Sequence, residues 1–332
     1  MALYFGNATD SLVTDALAGF ARVHADLVVH DVEHDFVRAL LSSPERRVGL
    51  VSGGGSGHEP LHIGFVGEGM LDAACPGRVF ASPHNRQIFV ASRAVAREEG
   101  VLHLVKNYTG DRINFGIASE RLVHEGISCA RVLIDDDLAS ESADIAAGRR
   151  GTGATVLVEK ILGAAADTGM GLSDLAALGT DVVARCRSLS VASTAHTVPT
   201  TGRAAFELAS GSLEYGVGIH GERAERTVPQ RPLRELVGEM TEALLGSLGL
   251  VRGDSVIVLV NGLGAMTRLE QYAVANEAAR ILDARGVAME RALVGDFVTA
   301  LDMRGFSLSL LAADAQTLML YDAPARTPAW PC

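Results

Sequence analysis

Residues 48–60 read VGLVSGGGSGHEP, an apolar β-branched run that empties into glycines at 53, 54, 55 and 57 and closes on His58-Glu59-Pro60. Glycine is used where the main chain takes dihedrals that other residues avoid, or where another group must come very close to it. The pattern predicts a strand over Val48–Ser52, then a glycine turn, with Pro60 in the first turn of a helix whose backbone N–H groups would face a ligand oxygen. Three familiar glycine loops fail letter by letter. A phosphate-binding P-loop needs a lysine and a hydroxyl after its last glycine, and neither is here. The dinucleotide fingerprint G-x-G-x-x-G meets His58 when started at Gly53 and Pro60 when started at Gly55. A nucleophile elbow around Ser56 also ends on His58. A tight turn that touches no ligand is the plain alternative.

Along the rest of the chain, apolar β-rich runs alternate with helical stretches. After a helix over Leu12–Arg22, strands are expected at Val48–Ser52, Leu102–Val105 and Arg131–Ile134, with a crossover helix over 112–125. That is βαβ order and predicts an α/β fold with a largely parallel sheet. ATVLVEKILGAAADTG and SDLAALGTDVVARCRSL read as helices, the second capped by Ser173. A second series then offers a helix (ELVGEMTEALLGSLGL), a strand with a glycine turn (SVIVLVNGLGA) and a helix stopped by Gly286 (LEQYAVANEAARILDARG). FSLSLLAADAQTLMLYDAP reads as an antiparallel hairpin. We therefore expect two α/β domains with largely parallel sheets, residues 1–190 and 191–332, the hairpin belonging to the second.

Composition narrows the function. The 332 residues are 48% hydrophobic with 36 glycines, enough for two real cores. A formal charge of −11 argues against a nucleic-acid surface, which needs clustered Lys and Arg. Cys75, Cys129, Cys186 and Cys332 stand far apart with no C-x-x-C pair, which suggests neither a zinc site nor a disulfide framework, and points to reduced thiols in the cytoplasm. The start, MALYFGNATDSLVTDAL, lacks a basic region and carries Asp10 and Asp15, unlike a secretory signal. No uninterrupted apolar run is long enough to span a bilayer, so neither nucleic acid nor membrane is an expected partner.

Ligand sites of open α/β sheets gather at the carboxyl ends of strands. Three polar turns are placed there: the glycine turn with His58; KNYTGD, with Lys106, Asn107, Thr109 and Asp111; and EYGVGIHGE, with His220. Singly, each has a plain explanation: Asp111 as a helix N-cap, Lys106 as a solvated charge, His220 as a hydrogen-bonded turn residue. IDDD at 134–137 imitates a metal cluster, but three adjacent aspartates at a strand end cannot all face one point, and a charged turn is the better reading; no metal site is expected. Together, a carboxylate, a lysine, two histidines and exposed backbone donors suit a small polar substrate that is bound and deprotonated.

GLVSGGGSGHEPLHIGFVGEGMLDAACPGRVFASP, VKNYTGD, IDDD, AGRRG, YGVGIHGE, LDMRGFSLSLL and DAPARTPAWP, in that order, resemble the substrate-binding subunit of dihydroxyacetone (glycerone) kinases, the DhaK family, almost end to end. The resemblance implies that His220 adds through its imidazole to the carbonyl of a short ketose, giving a covalent hemiaminal. It makes Asp111 the base for the attacking hydroxyl and His58 a hydrogen-bonding partner and second acid/base. Gly55, Ser56, Gly57 and Lys106 would complete the pocket, so the expected site draws on both halves of the chain. These kinases carry nucleotide on an all-helical domain, so ATP or ADP with Mg2+ is expected on a separate DhaL-type subunit, with no cofactor on this chain; a homodimer is expected as well.

Two stretches depart from the family pattern. Where members often carry SPTPDQI- or SPSTKQI-like sequence, this chain has SPHNRQI, and NGLGAMTRLEQY has Met266 and Arg268 where Thr-Pro is usual. If His84, Asn85 and Arg86 are buried donors, a four-carbon ketose such as erythrulose becomes an alternative substrate. A non-catalytic ketose-binding coactivator is a second alternative, and a nucleotide- or nicotinamide-binding enzyme, weakened by the failed fingerprints, a third.

Overall fold

A computed structural model describes residues 4–141, 148–224 and 226–331, so Ala147 of AGRRG and Cys332 lie outside the described residues. The chain forms two compact units, each discontinuous in sequence. The first comprises Tyr4–Ile134, Thr155–Asp181 and residues 319–331; the second comprises Asp135–Ala154 and Val182–Leu318. The single cut expected at 190 does not describe them: residues from 135 to 154 group with the later part of the chain and the final segment with the earlier part.

The first unit holds six strands, β1 (Val28–Asp31), β2 (Phe36–Ala39), β3 (Gly49–Ser56), β4 (Ala73–Val79), β5 (Val101–Lys106) and β6 (Cys129–Ile134), in the order β1-β2-β4-β3-β5-β6. β3 is parallel to β4 and β5, and β5 to β6, while β1 and β2 add an antiparallel edge. After α1 (Leu12–Val23), α2 (Asn85–Val95) and α3 (Thr109–His124) cover one face, packing Ile88, Phe115 and Leu122 on Val51, Val101 and Val105. The period of two along a strand turns Ser52, Gly54, Leu104 and Lys106 to the other face. There α4 (Ala154–Ala166) and α5 (Leu172–Ala184) lie, with Gly179 so close to β6 that a Cβ would sit 2.6 Å from Val132. Buried Arg46 holds α4, donating to the carbonyl of Gly163 at 3.0 Å and to Asp167 at 2.6 Å. The final segment is fixed to the same unit by Arg326 N on Glu68 O at 2.9 Å and by Lys160 Nζ on Leu320 O at 2.8 Å.

Two expectations here need correction. β3 does not end at Ser52 but runs to Ser56, with Gly53 and Gly54 opposite Cys75 and Pro76 of β4. No α-helix begins at Pro60; Ile63–Phe65 form a single 3-10 turn. The glycines serve approach rather than turning. A Cβ on Gly53 would lie 2.6 Å from the Cys75 carbonyl oxygen, and one on Gly55 would lie 2.7 Å from the backbone of Phe80 and Ala81. Gly57, at φ +102°, takes the left-handed region that other residues avoid. Ser173 is not a cap either, since α5 opens at Leu172, whose N–H is bound by Glu99 at 2.9 Å.

The second unit is built on β7 (Cys186–Thr194), β10 (Ser212–Tyr215), β11 (Thr227–Pro229), β12 (Ser255–Gly262), β13 (Ala288–Gly295) and β14 (Arg304–Ala312), ordered β11-β10-β7-β14-β12-β13; β8 (Thr197–Val198) and β9 (Arg203–Ala204) make a separate ribbon. Of its neighbouring pairs β12 and β13 alone run parallel, so a largely parallel sheet holds for the first unit and not for this one. α6 (Leu233–Leu248) and α7 (Arg268–Arg285) pack on one face through Met240, Leu244, Val274 and Leu282. Both stop at left-handed glycines, Gly249 and Gly286, and Thr267 with Glu270 forms a capping box at the start of α7. The hairpin expected over 306–324 is instead the central strand β14 followed by α8 (Ala315–Asp322). Asp314 starts that helix by accepting from the N–H and hydroxyl of Thr317 at 2.7 and 2.8 Å, a capping signal that the apolar run obscures. Among the described residues no helix is long and apolar enough to cross a membrane.

Alanine at Gly53 must push β4 away and is expected to destabilise the fold by about 1–3 kcal/mol, the scale of overpacking. At Gly19, exposed in α1 with nothing within 4 Å, alanine should be neutral or stabilising. Denaturant midpoints of the two variants check the contrast.

Candidate functional site

Lys106 ends β5 and is wholly buried, so the reading of a solvated charge does not hold. Its Nζ donates to Nε2 of His62 at 2.8 Å, and among the described residues that is its one hydrogen bond. The other edge of the imidazole, Nδ1, meets Oε1 of Glu159 at 2.6 Å and Oγ of Ser52 at 2.9 Å. A Cβ on Gly54 would overlap the Lys106 ammonium and lie 3.2 Å from His62 Nε2, so this glycine makes the room for the pair. Burial, with the charge of Lys106 and His58 beside it, drives the His62 pKa well down and keeps the ring neutral. Burial also lowers Lys106, against the pull of Asp111 and Glu159.

Asp111 is buried in the first turn of α3, but the N-cap position belongs to Tyr108, so the capping explanation fails. Its Oδ1 is buried without a hydrogen bond, an acceptor within the electrostatic reach of Lys106. An ammonium has three N–H bonds, and among the described residues one of those of Lys106 is engaged. His58 is fully buried and stacks on Phe80, with ring centroids 4.9 Å apart. The loop residues are more committed: the Ser56 hydroxyl donates to Gly77 O at 2.7 Å, Gly57 N–H donates to Glu59 at 2.8 Å, and Gly55 packs on Phe80. The structure thus gathers Gly54, His58, Lys106 and Asp111 around a buried imidazole. Sequence reasoning missed three of its members, Ser52, His62 and Glu159. The signal for Glu159 was an acid inside the apolar run VLVEKIL, and for His62 a second histidine four residues past His58.

In the second unit His220 sits in the tight turn after β10. Its N–H donates to Glu222 Oε2 at 3.0 Å and its Nδ1 lies 2.9 Å from Oε1. Burial works against the Glu222 charge, but His220 and Arg150 hold this carboxyl down at about 2. An ionised carboxylate only accepts, so the ring edge that faces Glu222, Nδ1, carries a hydrogen. Arg150 braces the turn, donating to Gly216 O at 2.9 Å and to Asp137 at 2.7 Å. Gly218 leaves space for that guanidinium, since a Cβ there would lie 2.5 Å from Arg150 Nη1.

The aspartates of IDDD go three ways. Asp135 pairs with Arg149 at 3.3 Å, Asp136 caps α4 through Thr152 and Ala154, and Asp137 holds Arg150. Among the described residues no group of three or more His, Cys, Asp or Glu side chains is placed to hold a metal ion. The SPHNRQI departure is also structural. His84 caps α2, its Nδ1 accepting from Arg86 N–H at 3.1 Å; the side chains of His84 and Arg86 are exposed and half-buried Asn85 donates to Asn114 Oδ1, so none of the three is the buried, unpaired donor on which the four-carbon ketose rested. Met266 and Arg268 flank Thr267 at the start of α7.

The paired carboxyls should respond oppositely to pH. Glu222 is depressed, so its contribution to stability is present above its ordinary value of 4.5 and is lost as pH falls toward about 2. Asp137, pushed up by burial to about 6 despite Arg150, favours the fold when protonated, a contribution lost as pH rises from 3.8 through 6. Carboxyl NMR titration of the wild type, with Glu222→Gln and Asp137→Asn as assignments, is expected to give these two values in that order.

The Dak1 domain family model matches residues 18–329. The chain is 44% identical over 325 residues to the dihydroxyacetone-binding subunit DhaK of the PTS-dependent dihydroxyacetone kinase 1 of Listeria innocua, covering 98% of each. The dihydroxyacetone kinase of C. freundii superposes with a TM-score of 0.89 at 33% identity, over 100% of this chain and 60% of that one; its structure in complex with AMP-PNP and Mg2+ fits equally well. The dihydroxyacetone kinase operon co-activator Dha-DhaQ superposes at 0.90 with 30% identity, covering 95% of this chain and 97% of its own. From the glycine strand to the His220 turn the chain is therefore a member of the Dak1 family, similar over nearly its whole length to the DhaK subunits.

Proposed function

We propose that this chain is the substrate-binding, catalytic subunit of a dihydroxyacetone-type kinase, which holds a short ketose as a hemiaminal on His220. The observation that carries this reading is the pairing of His220 Nδ1 with Glu222 at 2.9 Å: a hydrogen held on Nδ1 makes Nε2 the nucleophilic nitrogen whenever the ring is in its neutral form. Its lone pair attacks the ketose carbonyl carbon, a C–N bond forms, the carbonyl π bond breaks onto oxygen, and that oxygen takes up a proton. Glycerol, of similar size but without a carbonyl, cannot be held in this way.

Asp111 supplies the base. Its buried, unpaired Oδ1 accepts the proton of the ketose hydroxyl as that oxygen attacks phosphorus, and the two remaining N–H bonds of Lys106 bind substrate oxygen. His58, fully buried on Phe80, is the second hydrogen-bonding partner, with Gly55, Ser56 and Gly57 shaping the wall beside it. ATP or ADP with Mg2+, carried by a separate DhaL-type subunit, provides the phosphoryl group. We place the protein in the cytoplasm as a homodimer. A non-catalytic coactivator would not need a buried acceptor beside a buried ammonium, and the Asp111–Lys106 arrangement favours the kinase.

His220→Ala is expected to abolish tight ketose retention, because the covalent bond holds so small a ligand; unchanged affinity by calorimetry would sink the hemiaminal. Asp111→Asn should keep ketose affinity while lowering turnover ~10²-fold or more in an assay with the nucleotide-bearing partner, the scale of losing a positioned base. Wild-type turnover in that variant would reduce Asp111 to a structural residue.

A further inference from the structure

Ser52, His62 and Glu159 belong to no step of the proposed reaction, yet they are among the most deeply buried polar groups of the first unit, with Glu159 and Lys106 at 0% and His62 at 4% exposure. They form a line. Oε1 of Glu159 is 2.6 Å from Nδ1 of His62, and Nε2 of the same ring is 2.8 Å from Nζ of Lys106. Ser52 sets the plane of the ring, its hydroxyl 2.9 Å from Nδ1 and donating to Leu104 O at 2.9 Å. A neutral imidazole has one N–H and one bare nitrogen. Because an ammonium only donates, Nε2 is the bare nitrogen and Nδ1–H points at the carboxylate. A lysine buried with no countercharge readily loses its proton.

We propose that His62 and Glu159 are positioning residues for Lys106: the imidazole fixes one N–H of the ammonium, the carboxylate at its far edge balances the charge, and the other two N–H bonds are thereby presented, still charged, to the ketose. The inference rests on the reading that Lys106 binds the substrate. The groups facing Lys106 are Asp111 from α3, Glu159 from α4, and His62 with His58 beyond it from the segment after β3. Of these, Asp111 and Glu159 raise Lys106 against its burial. Glu159 is itself pushed up by burial and held by Lys106, so the two charges depend on one another across the ring.

Glu159→Gln tests this, since it keeps an acceptor for Nδ1–H and removes the charge. In the reconstituted kinase the alkaline limb of kcat/KM is expected to move to lower pH by about one unit or more, the scale of losing a charge partner. The deficit relative to wild type should then be smallest on the acid side and grow with rising pH toward roughly tenfold on the alkaline limb. A merely structural role for Glu159 would lower activity evenly across pH. Lys106→Met separates the two claims. If it is impaired and the Glu159→Gln profile stays in place, the positioning role is overturned; if Lys106→Met binds and turns over ketose normally, the site reading itself fails. Should Glu159→Gln not fold, 15N-histidine NMR of the wild type decides: His62 is expected as the neutral Nδ1–H tautomer from pH about 6 to 9, and an imidazolium or an Nε2–H ring would overturn the proposal.

Discussion

The close approach of the Lys106 ammonium to a strand without side chains is the contact on which the first unit turns. A buried lysine is unfavourable unless something receives its charge. Here β5 ends on the face turned toward α4, Gly54 leaves out a Cβ that would overlap the ammonium, and His62 and Glu159 supply acceptor and countercharge. Each element meets a demand of the same cation. The glycine strand is bare so that a charged side chain can lie beneath it, and the parallel register of β3 with β5, which sets Ser52 opposite Leu104, brings the serine to the imidazole.

The second unit uses the same physics at its surface. Arg150 gathers Asp137 and the carbonyl of Gly216, and Glu222 then faces His220 with its charge intact. A turn histidine has two tautomers of similar energy, and a fixed acceptor on one nitrogen selects between them. The tautomer of the His220 ring is thus biased from its Nδ1 edge, by Glu222 and by the Arg150 that braces the turn.

Much of this was legible from letters alone. Apolar runs located β5, β6 and β12, a glycine located the end of α7, and the turn motifs located Lys106, Asp111 and His220. What stayed hidden was relational. Glycines that follow a strand read as a turn, because a sequence does not show which distant residue is about to press against them; only the Cys75, Phe80 and Lys106 contacts reveal Gly53, Gly55 and Gly54 as strand. The apolar content of TLMLY suited strand and helix alike, and the Asp314 cap decided for helix. Glu159, an acid inside an apolar helix, has its partner nearly a hundred positions earlier, a pairing that the order of the letters does not display.

The interleaved make-up of the two units bears on how the molecule is made. The sheet of the first unit is encoded before residue 135, yet α4, which carries Glu159, comes only after that, and the segment that receives Lys160 through Leu320 O follows later still. A nascent chain leaving the ribosome therefore exposes β3 and β5 long before the charge that balances Lys106 exists. Contacts of such long sequence separation are slow to form. The early part of the chain therefore reaches its full packing only once its own later segments have joined it.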